Sequence, residues 1–278
     1  MALRTILSPV GVDQSDQDIK LAVDLCREND AHLAVFVLSL AAPPPVGEYA
    51  AAVSETWAEE REEDIRRLKQ RVAEVTDLLA GSDVSAEVDS AYTERAVADN
   101  AIGVRARYAD LALIGPDLCA SDSLKKMVLD GLFFEAQKPA LLVPHASMAT
   151  LAPTTILIAW DSSLEASRAV HEAMPFIAGA GDVHITMVDP RADDVGNGAE
   201  PGADLAAYLA RQGAKVTIDR LPSSGHAVAD VLRVHANDIA ADMLIMGAYG
   251  HSRLRERIFG GVTVSLTDDP TLPVFIAR

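Results

Sequence analysis

The chain has 278 residues, 49% of them hydrophobic, and a formal net charge of −17. That is enough apolar material for one large core or two small ones, and acidity in both halves argues against general nucleic-acid binding. No apolar run approaches the roughly 20 residues that span a bilayer, no basic and then apolar leader opens the sequence, and two distant cysteines, Cys26 and Cys119, exclude a disulfide framework; a cytoplasmic setting away from membranes is expected.

The first predicted element is the apolar strand around Thr5-Ile6-Leu7-Ser8. A helix follows, with Ile19, Ala22, Leu25 and Cys26 on its core face. A Pro43-Pro44-Pro45 turn then leads to a long charged helix. There Ile65, Leu68, Val72, Val75 and Leu79 recur at helical spacing, and Glu59, Glu60, Glu62, Glu63 and Asp64 form a solvated face. Ala109-Asp110-Leu111-Ala112-Leu113-Ile114-Gly115 is a buried strand ending in glycine, and Ala140–Val143 is the last strand of this half. His145 to Pro153 reads as a linker.

The second half repeats this pattern. Thr155-Ile156-Leu157-Ile158 matches Thr5–Ser8, Ala241-Asp242-Met243-Leu244-Ile245-Met246-Gly247 matches Ala109–Gly115, and Leu272-Pro273-Val274-Phe275-Ile276-Ala277 matches Lys138–Val143. The offsets place an insertion of about 18 residues in the first half, in its second helix and the turn before it. Strands are expected at 155–160, 183–188, 215–221, 243–246 and 273–277, and helices at 162–177, 204–212 and 227–241, with a last one within 253–267. Ser162 and Glu165 offer a capping box. Short apolar strands alternating with amphipathic helices indicate an α/β fold: two tandem Rossmann-like domains, 1–147 and 148–278, each a parallel sheet with helices on both faces.

The chemistry concentrates near the end. Gly247 closes a buried strand, Gly250 follows, and nine residues later come Gly260, Gly261, Val262 and Thr263. Glycines after a strand let backbone N–H groups approach a phosphate, and a following helix adds the positive end of its dipole. In an open parallel sheet, ligands bind beyond the carboxyl ends of the strands. Asp161 follows the first strand of this half and could reach a ribose hydroxyl. His251, Arg253, Arg255 and Arg257 make the densest basic run of the chain, beside the glycine loop. Trp160 could pack on a ligand or fill the core, and the core is preferred. His171, His184 and His235 are read as ordinary packed or surface groups, and His226 as a weak candidate near the site.

In these residues the chain resembles the universal stress protein family, whose pattern G-x2-G-x9-G-[ST] is met by Gly247, Gly250 and Gly260, with Gly261 in place of the hydroxyl residue. The resemblance covers both halves. It implies a five-stranded sheet of order 3-2-1-4-5 in each, with the halves packed as a pseudo-dimer. It also implies an adenine nucleotide (ATP, or AMP or ADP, with or without magnesium). By the resemblance, Asp161 meets ribose and Val188 meets adenine through its backbone. Gly247, Gly250, Gly260, Gly261, Val262 and Thr263 lie along the phosphates, with His251 in the same loop. The first half keeps Gly115 but has Pro116-Asp117-Leu118 after it. It is read as a degenerate copy without nucleotide, and Asp13 follows its first strand two residues later than Asp161 does in the second.

No G-x-S-x-G elbow, Walker loop, H-E-x-x-H or C-x-x-C pattern is present in the sequence, so no enzyme constellation is expected beyond slow ATP hydrolysis. Two readings follow: a nucleotide-binding regulatory module acting on a protein partner, or a nucleotide-free scaffold whose glycine loop only turns the chain. The final strands of the two halves are exposed apolar edges in the implied order. They are expected to pair antiparallel within the chain or, failing that, in a homodimer.

Overall fold

The computed structural model describes residues 3–43, 50–145, 148–190, 200–248 and 261–278, with only the backbone of 50–54. The chain divides into two compact units, Leu3–Lys138 and Pro139–Arg278.

In the first unit β1 (Thr5–Gly11), β2 (His32–Ala41), β3 (Ala86–Glu94) and β4 (Leu111–Ile114) form a parallel sheet in the order β3-β2-β1-β4. β1 and β4 are buried along nearly their whole length, so they are almost purely apolar, whereas β3 at the edge is only half-buried. This is the expected contrast between a parallel strand covered on both faces and an edge strand. Helix α1 (Gln17–Asn29) ends at Asp30, whose left-handed backbone (φ 52°) lets its N–H donate to the Cys26 carbonyl. Helix α2 (Ala50–Ala80) holds 31 residues and buries Leu68, Val75 and Leu79. That narrow stripe is enough to seat it on the sheet, and the acidic face stays exposed. α3 (Ala98–Ala106), α4 (Pro116–Cys119) and α5 (Asp122–Asp130) complete this unit.

The second unit adds β5 (Ala140–Leu142), β6 (Thr155–Ala159), α6 (Leu164–Glu172), α7 (Met174–Ile177), β7 (Asp182–Val188), α8 (Ala203–Arg211), β8 (Val216–Leu221), α9 (Val228–Asp238), β9 (Met243–Gly247), α10 (Gly261–Asp268) and β10 (Val274–Ala277). Its strand order is β5-β10-β9-β6-β7-β8. Taken from β6 to β10, this is the expected order 3-2-1-4-5, all parallel. β5 is the added strand. It pairs antiparallel with β10, Leu141 opposite Phe275, and this pairing puts it in the second unit although it ends the first repeat. The contact division therefore falls before residue 139 rather than at 147. α8 has 9 residues where α2 has 31, which locates the insertion in the second helix of the first repeat.

The repeated Ala-Asp pair has a structural reason. Asp110 Oδ2 accepts hydrogen bonds from the backbone N–H groups of Arg4 (2.8 Å) and Thr5 (3.0 Å). Asp242 Oδ2 does the same for Thr154 (2.8 Å) and Thr155 (2.9 Å). In each unit one carboxylate fastens the start of the central strand to the start of its neighbour and satisfies two donors that no strand partner reaches.

The capping box is corrected by one position. Ser163, not Ser162, is the N-cap of α6, and its Oγ accepts from the Ala166 N–H at 3.1 Å. Ser162 instead takes a left-handed backbone (φ 61°). Pro175 also divides the single helix expected over 162–177 into α6 and α7.

Candidate functional site

In the second unit the chain runs from β6 to β7 and β8 on one side and returns to β9 on the other. A cleft must open where the crossovers part, beyond the carboxyl ends of these strands. A cleft of about 280 Å³ lies there. Its floor is the end of β6 and β9 with Gly247, and one wall is the first turn of α10, Gly261 to Thr263. The other wall is Val228 and Leu232 of α9, with Thr186 and Val188 of β7 beside it.

Six of the sequence candidates therefore share one cleft: Asp161, Val188, Gly247, Gly261, Val262 and Thr263. Gly250, His251 and Gly260 lie outside the described residues, as do Arg253, Arg255 and Arg257. His226 is exposed and does not line the cleft. Trp160 does line it and is only half-buried, against the preferred of its two readings.

The left-handed turn at Ser162 sets the position of Asp161. Its Oδ1 accepts the Ser163 N–H at 3.0 Å, so the carboxylate is held at the mouth while the residue stays exposed. α10 starts at Gly261, and the first N–H groups of a helix have no partner within it. They and the helix dipole favour a negative ligand at this end of the cleft. A Cβ placed on Gly261 would meet no atom within 4 Å. Gly247 is different. A Cβ there would lie 2.5 Å from the Ala166 nitrogen and from the Glu165 carbonyl carbon. This glycine is required so that β9 can pass the first turn of α6, a packing role the sequence reading did not assign.

Thr186 was not anticipated. It is 1% exposed, lines the cleft, and its hydroxyl has no hydrogen-bond partner. A buried hydroxyl left unpaired costs about 1–3 kcal/mol, so a polar group of a ligand would find an acceptor or donor waiting there. The orphaned hydroxyl, the carboxylate at the mouth and the glycine start of α10 fit a nucleoside phosphate in donor type and in place.

A larger hollow, about 870 Å³, lies at the opposite end of the same sheet, between residues 148–154, α9 and the start of β10. Its two charged groups make contacts within the unit. Asp242 is bound to the Thr154 and Thr155 amides, and Arg233 donates to Asp230 at 3.1 Å and to the Asp269 carbonyl at 3.3 Å. The smaller cleft is the better candidate because it lies beyond the carboxyl ends of the strands and is lined by Asp161, Gly247 and Gly261 to Thr263.

The corresponding place in the first unit is filled from within. Asp18 of α1 is 1% exposed. Its two oxygens accept the Asp117 and Leu118 N–H groups, each at 2.9 Å, at the start of α4. A Cβ on Gly115 would lie 2.4 Å from the Asp18 carboxyl carbon. A side-chain carboxylate thus occupies the helix start that follows β4 in the first unit. Burial raises the Asp18 carboxyl above its ordinary range; the two N–H groups oppose this without cancelling it, and the nearby Asp117 charge adds to it. Asp13 is paired with Arg67 of α2. Of the cysteines, Cys26 is buried and its thiol is pushed up to about 12, which removes it from thiolate chemistry.

Among the described residues, no helix is long and apolar enough to cross a membrane. The universal stress protein family model matches residues 153–278. A universal stress protein of Synechocystis sp. is 30% identical over 146 residues, which are 51% of this chain and 47% of that protein, so the match spans about half the length of this relative. Among solved structures, a universal stress protein from Archaeoglobus fulgidus DSM 4304 aligns with a TM-score of 0.62 and 17% identity, covering 99% of this chain and 98% of that one. A functionally unknown protein from Pseudomonas aeruginosa PAO1 aligns at 0.55 and 18% identity, covering 99% and 92%. At such identities the two structures bear on the fold alone. The α/β fold, the family match and the cleft at the strand switch point agree: residues 153–278 are a universal stress protein family domain.

Proposed function

We propose that the second unit is an adenine-nucleotide-binding regulatory module of the stress response, taking ATP, ADP or AMP, and that occupancy alters binding to a protein partner in the cytoplasm. The observation that supports it most is the convergence of Asp161, the Gly261–Thr263 start of α10 and the orphaned Thr186 hydroxyl on one cleft at the switch point. In this reading Asp161 accepts from ribose hydroxyls, the α10 amides donate to phosphate oxygens, and Val188 and Thr186 meet the base. Magnesium would be held mainly by the phosphates, since Asp161 is the one carboxylate among the described residues lining the cleft. No catalytic base is assigned, so the role is binding rather than turnover. The first unit carries no nucleotide in this reading, because Asp18 already holds the amides a phosphate would use.

The alternative is a nucleotide-free scaffold. It draws support from Gly247, whose lack of a side chain is explained by the contact with α6 alone, and from Gly261, which supplies no hydroxyl. Calorimetric titration of the full chain with ATP separates the two readings. Gly261→Ser restores a hydroxyl where there is open space for it. A charge-assisted hydrogen bond to phosphate should then tighten binding by up to about tenfold. Unchanged or weaker ATP binding in Gly261→Ser would mean that the phosphates do not lie on α10. If neither the parent nor the variant binds at millimolar ATP, and native mass spectrometry of protein purified without added nucleotide finds no retained ligand, the scaffold reading stands.

A further inference from the structure

Among residues that do not line the cleft, three side chains on three elements of the second unit meet at one point. His184 is on β7, Asp219 on β8 and His235 on α9. His184 is opposite Thr217, and Thr186 is opposite Asp219. Alternation along the strands therefore sends His184 and Asp219 to the same face of the sheet, where His235 of α9 reaches both. Asp219 Oδ2 accepts from His184 Nδ1 at 2.7 Å and from His235 Nε2 at 2.9 Å. The two rings stand 6.2 Å apart at 73°, and the three donor atoms lie within 4.8 Å of one another. Their side chains are 16–19% exposed, so water reaches them. The surroundings hold them in place: Ile185 and Val183 on β7, and Leu232 and Ala236 on α9, are core residues.

We propose that His184 Nδ1, Asp219 Oδ2 and His235 Nε2 bind a first-row divalent cation of the zinc class, with water completing its shell. Two imidazoles and one carboxylate suit zinc and its neighbours, whereas magnesium and calcium want oxygen ligands throughout. Zinc bonds of about 2.0–2.1 Å in a tetrahedron keep ligand atoms about 3.3 Å apart. The present contacts need to open by about half an ångström, within the reach of side-chain rotation. In a neutral ring the proton now donated to Asp219 moves to the other ring nitrogen, so the ligating nitrogen offers its lone pair. The site is independent of the nucleotide reading: it lies on other residues and stands whether or not the cleft binds ATP.

The competing account is a hydrogen-bonded triad that only ties α9 to the sheet. Titrating EDTA-treated, untagged full-length chain with zinc chloride distinguishes them. The proposal expects one site per chain, weakened about tenfold or more in His235→Gln and in Asp219→Asn, and no comparable binding of magnesium. Zinc should also shield His184 and His235 of the parent from diethyl pyrocarbonate, read by peptide mass spectrometry, which needs no variant to fold. Equal zinc affinity in parent and folded variants, magnesium binding as tight as zinc, or no shielding of the two rings would each overturn the site in favour of the triad.

Discussion

Gly247→Ala is expected to lower the melting temperature by roughly 10 °C. The added methyl would sit 2.5 Å from two backbone atoms of α6, and backbone cannot swing aside as a long side chain does. Either β9 or α6 must shift, an overpacking cost of about 3 kcal/mol. The same shift moves α6 relative to the α10 start, so ATP binding should fall with stability. Gly261→Ala is the control. Its methyl enters open space at the start of a helix, where alanine is favoured over glycine by about 1 kcal/mol at most, so the melt should be unchanged or slightly higher. Thermal melting followed by circular dichroism reads both. A Gly247→Ala melt within about 2 °C of the parent would mean that β9 and α6 do not approach as closely as described.

Asp18→Ala should destabilise the first unit by about 2–5 kcal/mol, because it strands two amides at the start of α4, each costing about 1–3 kcal/mol. Asp18→Asn should cost less: its amide oxygen can still accept from one of them. The pH dependence separates charge from shape. The folded carboxyl titrates above its unfolded value, so the native state binds the proton more tightly, and the stability it confers is greatest in acid and declines as pH rises through the raised range. The stability gap between parent and Asp18→Asn should therefore be widest near about pH 4 and narrow toward about pH 7. Urea denaturation at the two pH values measures it. A gap that widens with pH would show that the two amides, rather than burial, govern the carboxyl.

Much of this architecture is legible in the residues because it rests on local pattern. Runs such as Thr155–Ala159 and Met243–Gly247 are apolar on both faces and flanked by amphipathic helices, and that alternation is the sheet. The glycine spacing led to Gly247 and Gly261, and the aspartate after the central strand to Asp161. What escaped depends on register and depth. Trp160 lines the cleft because β6 ends at Ala159, one residue before the expected boundary. Ser163 caps α6 because Ser162 takes the left-handed turn. His184, Asp219 and His235 are scattered in sequence and meet only once β7 and β8 are set side by side with Thr186 opposite Asp219. Asp18 was not singled out in the sequence. A signal for it existed: Pro116 begins a helix whose next two amides need an acceptor, and nothing near them in sequence supplies one.

The pairing of β5 with β10 also sets a schedule. Ala140–Leu142 is synthesised about 130 residues before its partner, Val274–Ala277. At the usual pace of translation that is on the order of ten seconds. The first unit can close its four parallel strands early, while the second must wait for Val274–Ala277. Until then an apolar segment, Ala140-Leu141-Leu142, is without the partner that covers it, and chaperones or neighbouring nascent chains can compete for it. A premature stop before Val274 would not merely fray a tail. It would leave the β10-facing edges of β5 and β9 open at once, so quality control should treat such a truncated chain as an aggregation-prone intermediate rather than as a slightly shorter protein.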